Sequence, residues 1–291
     1  MAQTAEKEQE VVDTAPVRVA IGSDEHKRLF CSLLLDTFDP YRPAVIPWPL
    51  LAPDALEQLK NLGFWDVALE TEENAGRRMQ ALADATEDPL IRRAVALNAF
   101  EERRHKAVLE HMMRHYDITQ KSDARASPIR EPRWAFLRTG YGECFDSFFA
   151  FGLFALAQRA DFFPPALVQV FEPVVQEEAR HNLFFVNWVA YTRANLALAR
   201  RPRFLGERVA ALAVQIWKRL GTAKVIDGNN FTRKGGSAIG IDIAPRRFLE
   251  LCLAENERRL SRYDPRLLRP RIMPAAARLA MRLLRSDGAA R

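Results

Sequence analysis

Two related pentapeptides, EERRH and EEARH, occur in the chain, and each holds a Glu three residues before a His. These pairs are Glu102 with His105 and Glu178 with His181. Residues three apart on a helix share a face at about 5–6 Å, so each pair can direct a carboxylate and an imidazole to one point. That ligand set suits iron, manganese or zinc. A single Glu-x-x-His usually means two solvated side chains, whereas two copies of the longer motif indicate a metal site.

Helix faces decide which acids point inward. Steps of three and four residues from Glu102 and from Glu178 meet mostly apolar side chains. On the helix before the first motif, the same steps favour Glu72 over Glu70 and Glu73, because only Glu72 has mainly apolar neighbours. An ionised Glu on an apolar face is costly unless it is paired or binds a metal. The motif acids and Glu72 are therefore predicted to share one interior.

The helix before the second motif offers two acids. Glu143 and Asp146 both have apolar neighbours at helical spacing, and we favour Glu143 because bundle sites of this kind use Glu there. Asp146 remains the alternative. Glu72 precedes Glu102 by 30 residues, and Glu143 precedes Glu178 by 35. Each interval is about one helix down and one back at about 1.5 Å per residue, which brings the acids to similar heights.

The elements that must position these residues are helices. Apolar spacing predicts them at about 24–36, 54–85, 88–116, 134–161, 166–199, 203–220, 246–262 and 273–285. No long segment alternates with period two, so the predicted class is all-α. Asp54 and Asp88 are predicted N-caps. Pro173 either kinks its helix or marks the real start of it.

Three regions are predicted along the chain. Residues 1–53 form an N-terminal arm and a proline-rich lead-in, 54–199 form the four-helix metal bundle, and 200–291 form a basic helical extension packed on it. The segments predicted to be irregular are 1–20, 37–53, 117–133 and 221–245, which are polar or rich in Pro or Gly.

Charge is distributed unevenly between the two parts of the chain. Residues 192–291 hold 22 Lys and Arg against 8 Asp and Glu, whereas residues 1–191 hold 21 against 29. The acidic part contains the predicted ligands. The basic part is predicted to be a solvated Arg-rich surface or a face for an anionic partner. No recognised nucleic-acid-binding motif occurs in it.

Cysteine usage and hydropathy indicate a cytoplasmic protein. Cys31, Cys144 and Cys252 are scattered, which argues against a disulfide framework and fits a reducing compartment. No run of about 18 apolar residues occurs, so no transmembrane segment is expected. The first residues lack the apolar middle of a secretory signal.

With these motifs the chain resembles the ferritin-like di-iron carboxylate superfamily, in particular its oxygen-activating branch, over about residues 60–195. The resemblance implies a ferritin-like four-helix bundle, here with extra C-terminal helices. The six implied metal ligands are Glu72, Glu102, His105, Glu143, Glu178 and His181. It also implies that Glu101 and Glu177 accept hydrogen bonds from metal-bound imidazoles, with Arg104 and Arg180 further out. Family members usually have the shorter Asp where this chain has Glu101 and Glu177.

Three branches of the superfamily fit less well. Ribonucleotide reductase small subunits are expected to carry a radical Tyr where this chain has Leu109. Amine N-oxygenases carry an additional His where this chain has Val174. Ferritins are shorter, form cages and need no basic extension.

The resemblance also implies an activity. Two iron ions, as an Fe/Fe or an Mn/Fe pair, would activate O₂ to hydroxylate, desaturate or N-oxygenate a small organic substrate, as a monooxygenase or a related oxidoreductase does. An external electron donor is expected, because the chain has no flavin or nicotinamide fingerprint, and a homodimer is compatible with this reading. The alternative is a ferroxidase that handles iron without an organic substrate. A third hypothesis is a helical bundle whose ligands are vestigial.

Overall fold

The computed structural model describes residues 19–119, 128–159, 163–224 and 244–286. Within these ranges every regular element is a helix, which confirms the all-α prediction. The α-helices are α1 (Asp24–Leu35), α2 (Pro53–Asn61), α3 (Trp65–Asp84), α4 (Pro89–His115), α5 (Pro132–Arg159), α6 (Pro165–Val170), α7 (Glu172–Asn195), α8 (Arg201–Lys224), α9 (Pro245–Leu260) and α10 (Ile272–Ser286). None of these described helices is both long and apolar enough to cross a membrane.

Most of the predicted irregular segments lie partly outside the described residues. Of the segment 1–20, only the last two residues are described, and 120–127 fall outside in the segment 117–133. The segment 37–53 is irregular as predicted, apart from one 3₁₀ turn at Pro43–Val45 and the first residue of α2. The predicted loop at 221–245 begins too early, because α8 continues to Lys224.

The two predicted N-caps have different outcomes. The side chain of Asp88 accepts hydrogen bonds from the backbone N–H groups of Leu90 and Ile91 at 2.9 and 3.1 Å, so this cap is confirmed. The prediction for Asp54 is wrong, because Ala52 is the N-cap residue of α2. Pro53 takes the first helical position, for which its fixed φ angle is suited, and Asp54 lies within the first turn.

The helix predicted at 54–85 is two helices, and the break lies between Asn61 and Trp65. Leu62 and Phe64 flank Gly63 in this break, and both are buried in one cluster with Leu59. Residues two apart on a helix point to different sides, so a continuous helix would expose one of the pair. The break allows both side chains to enter the same cluster.

The helix predicted at 166–199 also divides. α6 ends at Val170, and α7 begins at Glu172 with Pro173 next to its first residue. Pro173 therefore marks the start of the helix that carries the second motif. At that position the missing N–H of proline leaves no intrahelical hydrogen bond unmade.

Four helices, α3, α4, α5 and α7, enclose a common interior. α3 contacts α4 and α5, α7 contacts the same two helices, and α1 covers α4 and α7 from outside. Gly140 of α5 allows the ring of Phe185 from α7 to lie against its backbone. A Cβ atom added at Gly140 would lie 2.1 Å from Cδ2 of Phe185, so a larger residue would force these helices apart.

The C-terminal helices α8, α9 and α10 pack on α5. Arg259 of α9 is fully buried and reaches α7, where it donates to both carboxylate oxygens of Glu172 at 3.1 and 2.9 Å. Its guanidinium also lies over the rings of Phe151 and Phe154. A charged group held this way connects the C-terminal helices to the helix that carries the second motif.

Candidate metal centre

Four of the six predicted ligands come together from α3, α4 and α7. Glu72, Glu102, His105 and Glu178 each offer one ligand atom, and these atoms all lie within 4.8 Å of one another. Nδ1 of His105 lies 3.5 Å from Oε2 of Glu72 and 3.3 Å from Oε1 of Glu178. The Glu72 and Glu178 side chains are 20% and 18% exposed, whereas the other two are buried, so the cluster has one side open to solvent.

His181, a fifth predicted ligand, borders this cluster. Its Nδ1 lies 2.8 Å from Oε1 of Glu102 and 4.0 Å from Oε1 of Glu178. The ring planes of His105 and His181 are inclined by 30°, and their centroids lie 5.7 Å apart. Two imidazoles therefore face one group of carboxylates, each from its own motif.

The two acids of α5, Glu143 and Asp146, have different partners. Both carboxylate oxygens of Glu143 are buried without a hydrogen-bond partner among the described residues. Burial, followed by the nearby charges of Glu102 and Glu178, raises the pKa of Glu143 well above its usual value. Asp146 instead forms an ion pair with Arg219 of α8 at 2.6 Å. Glu143 is therefore a buried acid without a hydrogen-bond partner among the described residues, as a ligand would be, whereas Asp146 is engaged by Arg219.

Each imidazole is anchored by the carboxylate of the other motif. Nε2–H of His105 donates to Oε2 of Glu177 at 2.8 Å, and Nε2–H of His181 donates to Oε2 of Glu101 at 2.8 Å. With the proton on Nε2, the lone pair of each Nδ1 faces the cluster, as a metal ligand requires. These two hydrogen bonds connect α4 with α7, and the Glu side chains are long enough to reach from one helix to the imidazole of the other.

Arg104 and Arg180 contact the same carboxylates, and each donates to the Glu of the other motif. Nη2 of Arg180 donates to Oε1 of Glu101 at 2.6 Å, and Nη2 of Arg104 donates to Oε1 of Glu177 at 2.5 Å. All four side chains are buried. Because each anchoring carboxylate has its own guanidinium, these two pairs add no net charge to the site.

The proline-rich lead-in supplies contacts that sequence reasoning did not identify. The hydroxyl of Tyr41 donates to Oε2 of Glu177 at 3.2 Å, and the guanidinium of Arg104 lies 3.9 Å from the centroid of the Tyr41 ring. The carbonyl of Thr37 accepts from Nη1 of Arg180 at 2.7 Å. No periodicity marks residues in an irregular segment, so the sequence held no signal for these contacts.

Ser147 is a second contact that the sequence reasoning missed. Its hydroxyl donates to Oε2 of Glu178 at 3.2 Å. Ser147 follows Glu143 by four residues, one turn further on the same face of α5. A polar residue at that spacing from a predicted inward acid was the available signal.

Several buried polar atoms of the cluster lack hydrogen-bond partners among the described residues. These atoms are Oε1 of Glu102, Nδ1 of His105, both carboxylate oxygens of Glu143 and Nδ1 of His181. Buried polar groups are nearly always satisfied, so several on facing helices need an explanation. All of them are good ligand atoms for a divalent transition metal, and this donor set fits iron or manganese.

Comparison of the chain with protein-family models, curated proteins and solved structures found no match. Geometry and charge therefore carry the assignment of the site. None of the four inner acids forms an ion pair with an arginine or lysine among the described residues; these acids are Glu72, Glu102, Glu143 and Glu178. When ionised they carry a formal charge of −4, which two divalent cations would balance.

The titration of the cluster predicts how pH affects the chelator-treated protein. Burial raises the pKa of Glu72 to about 8. Burial lowers the pKa of His105, but the hydrogen bond with Glu177 and the nearby carboxylates of Glu178 and Glu72 outweigh this and hold it well above its usual 6.5. Both groups bind protons more tightly in the folded chain than in the unfolded chain. Stability therefore falls as pH rises through the folded pKa values.

We expect the free energy of unfolding, measured by urea titration with chelator present, to fall between pH 6.5 and 8. Metal affinity should rise over the same interval, because the ligands must lose protons to bind. The variant Glu72→Gln should show a flatter stability profile. Stability that increases with pH across this interval would contradict the assigned environment of Glu72 and His105.

Proposed function

We propose that the protein is a non-haem di-iron oxidoreductase, built on a ferritin-like four-helix bundle with extra C-terminal helices, that uses O₂ to oxidise a small organic substrate. The observation that carries this proposal is the cluster of Glu72, Glu102, His105 and Glu178 from facing helices, with no arginine or lysine paired to its acids among the described residues. Nδ1 of His181 borders this cluster at 2.8 Å from Glu102, and the Glu143 carboxylate is buried without a hydrogen-bond partner among the described residues. A carboxylate-rich site with two histidines is the known ligand set of di-iron bundles.

The chain's own residues would hold and orient the metal. The ligands would be Glu72, Glu102, His105, Glu143, Glu178 and His181. Two ferrous ions, or an iron–manganese pair, would supply the electrons that activate O₂. Glu101 and Glu177 fix the imidazole rings, and Ser147 orients Glu178. Hydroxylation, desaturation and N-oxygenation all fit such a site, with an external electron donor and a cytoplasmic setting.

Iron loading tests this proposal. Protein stripped with chelator and titrated anaerobically with Fe(II) should bind two ions per chain, and admission of O₂ should then change its visible absorption. The variant Glu70→Ala is the control, since Glu70 is exposed on α3 and should load normally. Failure to bind iron, or binding of a single ion, would contradict the di-iron assignment.

The ferroxidase alternative makes a different prediction in the same experiment. With excess Fe(II) and O₂, an iron-handling protein should keep oxidising iron and retain far more than two ions per chain. An oxidoreductase of organic substrates should instead consume O₂ in steady state only when a reductant and a substrate are added. Retention of excess ferric iron would therefore favour the alternative.

A further inference from the structure

A cavity of about 570 Å³ lies outside the ligand cluster, between α5, α7, α8 and the chain that enters α10. Its walls are mainly apolar and include Phe145, Phe185, Val189 and Ala190. Its volume is in the usual range for small-molecule sites, roughly 300–1,000 Å³. The cavity is therefore large enough for a ligand with an apolar body.

Five arginines line this cavity. They are Arg193, Arg201, Arg208, Arg269 and Arg271. None of them forms an ion pair with a carboxylate among the described residues, although many other arginines of the chain do. Glu257 and Asp264 interact with Arg269 at longer range, but the five guanidinium groups together still concentrate positive charge, so the cavity favours an anion.

Three of these arginines are held in place by neutral groups. Arg208 donates to the hydroxyl of Tyr141 at 3.0 Å, Arg201 donates to the carbonyl of Leu196 at 3.1 Å, and Arg269 donates to main-chain carbonyls. Such bonds orient the guanidinium groups without forming an ion pair.

The other two, Arg193 and Arg271, are exposed and make no side-chain hydrogen bond or ion pair among the described residues. Their guanidinium forks are free to bind a carboxylate or a phosphate.

We propose that this cavity binds a small amphipathic anion, with a carboxylate or phosphate head at the arginines and an apolar body against Phe145, Phe185 and Ala190. This inference goes beyond the proposed function, because the binding needs no metal. Two wall residues are nevertheless close in sequence to predicted ligands. Cys144 follows Glu143 directly, and Phe185 lies one helical turn after His181.

Calorimetric titration of the full chain tests the proposal, with octanoate, octyl phosphate, octanol and inorganic phosphate as probes. Octanoate, octyl phosphate or both should bind with and without metal loaded, and octanol and inorganic phosphate should bind at least about tenfold more weakly than the better of the two. Octanol binding as tightly as either anion would overturn the role of the arginines. Inorganic phosphate binding as tightly as octyl phosphate would overturn the role of the apolar walls.

Matched variants separate the two halves of the site. Arg193→Gln with Arg271→Gln should weaken the binding of the amphipathic anions about tenfold or more. Arg262→Gln with Arg278→Gln removes two exposed arginines outside the cavity and should leave binding unchanged. Ala190→Phe should fill the apolar part and weaken the same probes. Equal effects of the two arginine pairs, or none from either, would overturn the proposal, whether or not the iron experiment succeeds.

Discussion

His181→Ala and Glu102→Ala should each lower metal affinity by at least about a hundredfold, because loss of an outer hydrogen-bond partner alone costs about 10–100-fold. The two groups lie 2.8 Å apart, and neither Nδ1 nor Oε1 has a hydrogen-bond partner among the described residues. The matched controls are Glu70→Ala and Glu73→Ala. Glu70 is exposed on α3, and Glu73 is half-exposed and pairs with Lys106 rather than with the cluster. Metal content after dialysis and the oxygen response would both be measured. Equal loss from ligands and controls would refute the assignment of helix faces.

The effect of a substitution on the thermal midpoint should have opposite signs with and without metal if the residue is a ligand. Glu143→Gln should raise the thermal midpoint of chelator-treated protein at neutral pH. Burial and the neighbours Glu102 and Glu178 raise the pKa of Glu143, so folding must take up a proton there, whereas the neutral amide avoids that cost. With metal present, the same variant should melt lower than the wild-type protein, because a ligand is lost. Destabilisation under both conditions would mean that Glu143 serves packing rather than metal binding.

Arg180→Met should destabilise the fold by about 3–5 kcal/mol, because the buried carboxylate of Glu101 loses its cation at 2.6 Å and keeps only Arg104 at 3.8 Å. For a protein of this size that change corresponds to roughly 5–8 °C in the thermal midpoint. The double variant Arg180→Met with Glu101→Leu should recover part of the loss, since it removes the unpaired charge as well.

The control for this change is Arg203→Met. Arg203 also pairs with a glutamate, Glu207, at 3.2 Å, but its side chain is 82% exposed. Surface pairs contribute about 0–1 kcal/mol, so the thermal midpoint should barely move. Thermal melts in chelator keep metal binding out of the comparison. If the two arginine variants melted alike, the buried pair would not be an important part of the fold.

The sequence was sufficient to predict helix faces and one N-cap, because helical periodicity and capping depend on residues close in sequence. The inward faces of Glu102 and Glu178 follow from helical spacing, and both acids lie in or beside the cluster as expected. The cap at Asp88 follows from its side chain and the proline after it. The break at Gly63 did not follow, because it depends on the tertiary cluster that buries Leu62 and Phe64 together.

The crossed anchors could not be read from spacing. Glu101 and Glu177 were expected to accept hydrogen bonds from the imidazoles of the two motifs, and each accepts one. Which imidazole each one meets depends on how α4 and α7 approach each other across the interior. The contact of Tyr41 with Glu177 is a similar case, because an irregular segment carries no periodic signal of its destination.

The crossed hydrogen bonds are reciprocal between the two helical hairpins, α3 with α4 and α5 with α7. Contacts between subunits across a two-fold axis are reciprocal in the same way. Glu101 of the first meets His181 of the second, and Glu177 of the second meets His105 of the first. Reciprocal contacts of this kind arise where a surface pairs with a copy of itself. Duplication and fusion of one ancestral hairpin gene would leave this pattern. It also means that each imidazole depends on a Glu from the other motif. A substitution of Glu101 should therefore disturb His181, and a substitution of Glu177 should disturb His105.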